Sequence, residues 1–82
     1  MSRYGSYKIE KDMTYDNKEI VEYIDRYIHS ERDRAMLKRK LLNTDITFPM
    51  LAEEFGYSVR HTKRIYYKAV HTLFKEIEEH QL

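Results

Sequence analysis

The chain has no cysteine and no apolar run that approaches the roughly 18–20 residues of a membrane span. The first absence removes disulfides and thiolate metal ligands, and with them any sign of an oxidising compartment. The second, together with the lack of a basic-then-apolar leader, predicts a soluble cytoplasmic protein with no membrane partner. His29, His61, His71 and His80 never fall at the i,i+4 spacing of a helical zinc pair, so neither a metal nor another cofactor is expected. A Gly-rich phosphate loop and paired catalytic carboxylates are also missing. His29 and Ser30 are adjacent, and neighbouring helical residues point in different directions. No enzymatic activity is expected.

What remains is one small domain. A chain of 82 residues buries only about 60–65% of its unfolded surface, which leaves a thin stability margin. Self-association is a natural remedy at this size. The net charge of +1 conceals a segregation along the chain. Residues 1–30 hold five basic and six acidic side chains, and residues 31–45 hold five and three. Residues 46–58 carry only Glu53 and Glu54. Residues 59–75 then contain Arg60, Lys63, Arg64, Lys68 and Lys75 without a single acid, and Glu76, Glu78 and Glu79 close the tail. Local charge sets the field that a polyanion meets within a Debye length of about 8–10 Å. One segment is strongly basic.

Hydrophobic periodicity predicts an all-α fold of four helices. Residues 1–15 show neither period nor cap and read as a flexible N-terminal arm. Residues 16–82 read as the helical domain. Its first helix spans Asp16 or Asn17 to Ile28, with Ile20, Val21, Ile24, Tyr27 and Ile28 on one face. Ser30 caps a second helix, Glu31 to Leu42, with Ala35, Leu37 or Met36, Leu41 and Leu42 expected inside. Asn43-Thr44-Asp45 breaks it. Thr47 caps a short third helix, Phe48 to Phe55, with Pro49 in its first turn and Leu51, Ala52 and Phe55 inward. Gly56 suits a left-handed stop. Ser58 opens a long fourth helix that continues past Ile77, with Thr62, Ile65, Tyr66, Ala69, Leu73 and Ile77 as its inward stripe.

The stretch from Thr47 to Lys75, TFPMLAEEFGYSVRHTKRIYYKAVHTLFK, therefore reads as short helix, tight corner and long basic helix. That arrangement suits a helix-turn-helix at about residues 47–70, with its second helix in the DNA major groove. Arg60 and Arg64, at i,i+4, share a face and can fork onto guanine or clamp phosphates. Lys63, Lys68 and Lys75 suit phosphate contacts. Tyr66 belongs to the inward stripe, whereas Tyr67 faces outward and can donate to a phosphate. A helix this long needs a partner for its second half, and helices 1 and 2 are the candidates.

LAEEFGYSVRHTKRIYYKAV resembles region 4 of sigma-70 factors, and more nearly the small phage ArpU-type transcriptional regulators. Ala52, Glu53, Glu54, Phe55, Gly56, Tyr57, Ser58, Arg60, Arg64, Ala69 and Leu73 stand at the matching places. The resemblance covers about half the chain. It implies that Ser58, Val59, Arg60, Lys63, Arg64 and Tyr67 face DNA. Two positions depart from the pattern. Thr62 replaces an aliphatic core residue, and Phe48-Pro49-Met50 replaces an acidic first turn, so no capping box forms with Thr47.

The expected function is a sequence-specific, double-stranded-DNA-binding transcriptional regulator acting near RNA polymerase. Two alternatives remain open: a sigma-like module that docks on RNA polymerase, and the recognition subunit of a phage DNA-packaging motor. Helix 1 either completes the core or offers Tyr23 and Ile24 to a second copy, which would give a homodimer.

Overall fold

The computed structural model describes residues 16–43 and 45–80. The expected arm at residues 1–15 lies outside them. The described residues form four helices and no strand: α1 (Asn17–Tyr27), α2 (Glu31–Leu41), α3 (Phe48–Phe55) and α4 (Val59–His80).

Each helix begins where a side chain can take up its orphan amides. Asp16 caps α1 in a reciprocal box, in which the Glu19 amide donates to Asp16 Oδ1 (2.8 Å) and the Asp16 amide to Glu19 Oε1 (3.2 Å). Ser30 Oγ accepts from the Asp33 amide at the start of α2, and Thr47 Oγ1 from the Met50 amide at the start of α3. Ser58 Oγ accepts from the His61 amide as α4 opens. The corner between α1 and α2 is sealed differently. Arg34 Nη1 donates to the carbonyls of Ile28 (2.8 Å) and His29 (3.0 Å), which follow the last turn of α1.

Gly56 ends α3 at φ 75° and ψ 29°. The Tyr57 amide reaches back to the Ala52 carbonyl (3.0 Å), and the Gly56 amide to that of Glu53 (3.3 Å). These two bonds make a Schellman stop, which requires the left-handed residue. A Cβ at Gly56 would meet nothing within 4 Å, so only backbone strain opposes a side chain there. Gly56→Ala is expected to lower stability by ~1 kcal/mol, read from urea unfolding. A loss beyond ~3 kcal/mol would mean that steric overlap, and not backbone strain alone, opposes the side chain.

Helix α4 is the axis of the fold and packs against all three others. Thr62, Ile65, Tyr66, Ala69, Leu73 and Ile77 are buried as expected, and Val70 and Phe74 are buried beside them. These two were not anticipated, because one amphipathic stripe suffices for a helix covered on one side only. With three helices against it, α4 buries Val70 and Phe74 as well as its central stripe, so it is apolar around more of its circumference. Thr62 is wholly buried, yet its Oγ1 donates to the Ser58 carbonyl (2.8 Å). The polar replacement at this core position therefore leaves no orphan hydroxyl.

One expectation is corrected, and of the two roles open to Ile24 the core one is observed. Ala35 is exposed, while Met36 and Leu37 are both fully buried, and Leu41 and Leu42 are half-buried. The inward face of α2 is centred on Met36, Leu37 and Lys40, and at about 100° per residue Ala35 falls on the opposite side. Ile24 is 0% exposed, held in the core with Ile20 and Ile28. It cannot be offered to a second copy without opening the fold. Tyr23 is half-buried, with its ring stacked 6.0 Å from that of Tyr27.

Ion pairs join the helices at their edges. Lys38 Nζ lies 2.7 Å from Asp25 Oδ1 and ties α2 to α1. Arg39 forks onto Glu54 through Nε (2.9 and 3.0 Å) and Nη2 (2.6 Å), tying α2 to α3. That fork holds the Glu54 carboxyl below its ordinary value of 4.5. A carboxylate depressed in the folded state adds stability above the unfolded value and loses it as pH falls through the folded one. Arg39→Ala should therefore flatten the stability decline below pH 4.5, as thermal melts across that range would record. An unchanged acid limb would mean that the fork does not persist in solution.

Candidate nucleic-acid interface

The start of α4 is set by the turn before it. Tyr57 packs behind Gly56, with the His61 ring edge-on at 4.9 Å, and the Arg32 guanidinium lies 5.9 Å from the Tyr57 ring centroid. Hydrogen bonding to Tyr57 and to Asp33 raises the Arg32 pKa further above its ordinary value. These contacts hold the first turn of α4 against the first turn of α2.

From that start, Arg60, Lys63, Arg64 and Lys68 all emerge exposed, as does Lys75 further along. Among the described residues none of the five forms an ion pair with an acid. The contrast with α2 is informative. There Arg32, Arg34, Lys38, Arg39 and Lys40 each meet a carboxylate or a backbone carbonyl of the fold. Charge on α2 is used internally. Charge on α4 faces outward.

The α4 face spans about 12 Å from Arg60 to Lys68 at 1.5 Å per residue, close to the width of the major groove. A shallow hollow of about 400 Å³ lies over it, walled by Lys63, Arg64, Tyr67 and Lys68. The structure leaves Arg60, Lys63, Arg64 and Lys68 exposed on α4, and it refines the other three candidates. Ser58 is exposed, and one lone pair of its oxygen is engaged as the α4 cap, which leaves its O–H and a second lone pair for an outside partner. Val59 is 37% exposed, and with Met50 at 47% it is one of two large apolar side chains open to solvent among the described residues. Tyr67 is half-buried and not fully outward: its ring lies 5.5 Å from Phe48 and 5.4 Å from Tyr66. Tyr66 itself is buried, edge-on to Phe48.

Phe48 acts as a hub on the α3 side. Lys40 Nζ lies 4.8 Å and Lys63 Nζ 5.5 Å from its ring centroid, distances at which an ammonium is attracted to the aromatic face. Lys40 also donates to the Ile46 carbonyl (2.6 Å). On the opposite flank of α4, a groove of about 310 Å³ runs between α4 and the α1–α2 corner, and Arg32, Arg64 and Lys68 bring positive charge to it. Sequence reasoning missed both flanks. Phe48 and Lys63 lie 15 positions apart in the chain and Arg32 and Lys68 lie 36 apart, and no local period links them.

Among the described residues, no cluster of His, Asp and Glu could hold a metal ion, and no helix is long and apolar enough to cross a membrane. Comparison of the chain with protein-family models, curated proteins and solved structures gave no match.

Proposed function

We propose that this protein is a sequence-specific DNA-binding transcriptional regulator, with the first half of α4 lying in the major groove of duplex DNA. The observation that carries this reading is the exposed row Arg60, Lys63, Arg64 and Lys68, without an acidic partner among the described residues. A one-sided basic face on the second helix of a helix-turn-helix is the electrostatic footprint of such a protein. Arg60 and Arg64 are suited to base edges, Lys63 and Lys68 to phosphates, and Val59 to a thymine methyl. The resemblance to sigma region 4 and to ArpU-type regulators points the same way. Docking on RNA polymerase through Glu53, Glu54 and the acidic tail of Glu76, Glu78 and Glu79 is the weaker alternative, because Glu54 is already held by Arg39.

A binding selection on random duplexes, followed by salt titration, tests the proposal. The expected outcome is one enriched motif and an affinity that falls log-linearly with salt. Lys63→Ala should make the slope shallower by about 0.9 and weaken all sequences alike. Enrichment of no motif, with no salt-dependent binding, would reject the function.

A further inference from the structure

The two flanks of α4 differ in a way that bears on how a duplex would sit. Lys63 leans toward α3 and the Phe48 ring. Lys68 lines the groove on the other side, beside Arg32 and the α1–α2 corner. At 100° per residue, Lys63 and Lys68 lie about 140° apart around the helix axis. Two side chains so far apart cannot both address the floor of one groove. Arg60 and Arg64 lie between them around the axis, exposed on the side that would face that floor. Lys63 and Lys68 look toward its walls, and the walls of the major groove are the two phosphate strands.

The groove on the Lys68 side combines apolar walls with an excess of positive charge. Ile28, Ile65 and Ala69 line it with apolar surface, while Arg32, Arg64 and Lys68 supply three cations. Arg32 reaches it from a different helix, and its guanidinium is steadied by Asp33 Oδ1 (3.1 Å) and by Tyr57. Ser30 and Thr72 add hydroxyls to the lining. The positive end of α2, which starts after Ser30, adds to the field. Asp33 is the one carboxylate present, so the local balance stays positive.

We propose that this groove seats a backbone phosphate of bound duplex DNA, on the strand that passes the α1–α2 corner, with Arg32 and Lys68 as its cationic contacts and Arg64 at its edge. The inference rests on the DNA-binding reading above and adds a second helix, α2, to the interface. It makes Arg32 a phosphate contact and Asp33 a carboxylate that weakens binding.

Three variants in the full chain test it on the selected duplex. Arg32→Gln and Lys68→Gln should each lower the salt slope by about 0.9 and weaken specific and random duplexes equally. Asp33→Asn should tighten binding about two- to fivefold, because a charge that repels the phosphate is removed. A merely structural role for the Arg32–Asp33 pair gives the opposite sign, since loss of the pair would then weaken binding. Thermal melts check that each variant is folded.

Wild-type binding with an unchanged slope in Arg32→Gln and no gain in Asp33→Asn overturns the groove assignment and leaves the function standing. Failure of the wild type to bind any duplex overturns both. Inorganic phosphate, titrated by NMR against the amides of Ser30 and Thr72, separates the sources of the phosphoryl group. Weak binding displaced by duplex supports the backbone assignment. Submillimolar binding that coexists with bound duplex refutes it in favour of a free anion.

Discussion

Simultaneous replacement of Arg60 and Arg64 by alanine is expected to cost the largest fraction of specific DNA affinity. Both side chains are exposed on the outward face of α4, one turn apart, and neither pairs with an acid among the described residues. Each guanidinium can donate two parallel hydrogen bonds to one guanine, a contact worth about 1–3 kcal/mol of discrimination. Allowing for non-additivity between neighbours, the double variant should lose on the order of 10²–10⁴-fold in specific affinity. Random-sequence binding should fall far less, because Lys63, Lys68 and Lys75 remain. The two arginines are exposed, so the fold should be unaffected. Anisotropy titrations on the selected and a scrambled duplex give both numbers. An equal fall on both would assign these arginines to phosphates and place sequence reading elsewhere, with Val59 and Tyr67 as the next candidates.

The second large effect concerns stability. Phe74 is 0% exposed in the enclosed half of α4 and belongs to the same core cluster as Ile24, Leu37 and Leu51. Phe74→Ala removes most of a buried aromatic ring and leaves a cavity that the surrounding helices can close only in part. The expected loss is about 3–5 kcal/mol. A domain of this length is stable by only about 4–12 kcal/mol in total, so the variant should be partly unfolded near physiological temperature. Urea unfolding followed by circular dichroism measures the change. A cost under 1 kcal/mol would show that Phe74 is not enclosed in solution. Phe74→Leu, which keeps most of the volume, should cost less than half as much.

Phe74 also shows where sequence reasoning stopped. The spacing of Thr62, Ile65, Tyr66, Ala69, Leu73 and Ile77 gave one inward stripe of α4, and all six are buried. Val70 and Phe74 lie off the centre of that stripe, and they are buried because α1, α2 and α3 surround the helix. The same limit explains Ala35. In α2 the apolar residues are few and the charged ones many, so its periodicity was ambiguous, and contact with α1, α3 and α4 decided which face turned inward. Thr62 makes the converse case. A hydroxyl in a core stripe reads as a weakness, yet local geometry supplies its acceptor one turn back, at the Ser58 carbonyl.

The candidate site divides along similar lines. The exposed α4 cations were legible because four of them, Arg60, Lys63, Arg64 and Lys68, fall within nine residues of one helix. The cations of α2 looked equally available, but folding ties them to Asp25, Asp33, Glu54 and the carbonyls of Ile28 and Ile46. Arg32 is the exception that crosses the divide, paired with Asp33 yet still on the groove beside Lys68.

Taken alone, the amino-acid order determined four helices, their caps and the Gly56 corner, since capping, backbone strain and apolar period act within a few residues. It also determined that one helix would carry a basic face. Tertiary structure alone decided which cations remain turned to solvent and that α4 is the enclosed axis. It alone brought the first turn of α2 up against the basic helix. Those outcomes depend on contacts between residues far apart in the chain, and no local rule of propensity or spacing reports which distant charge a side chain will meet.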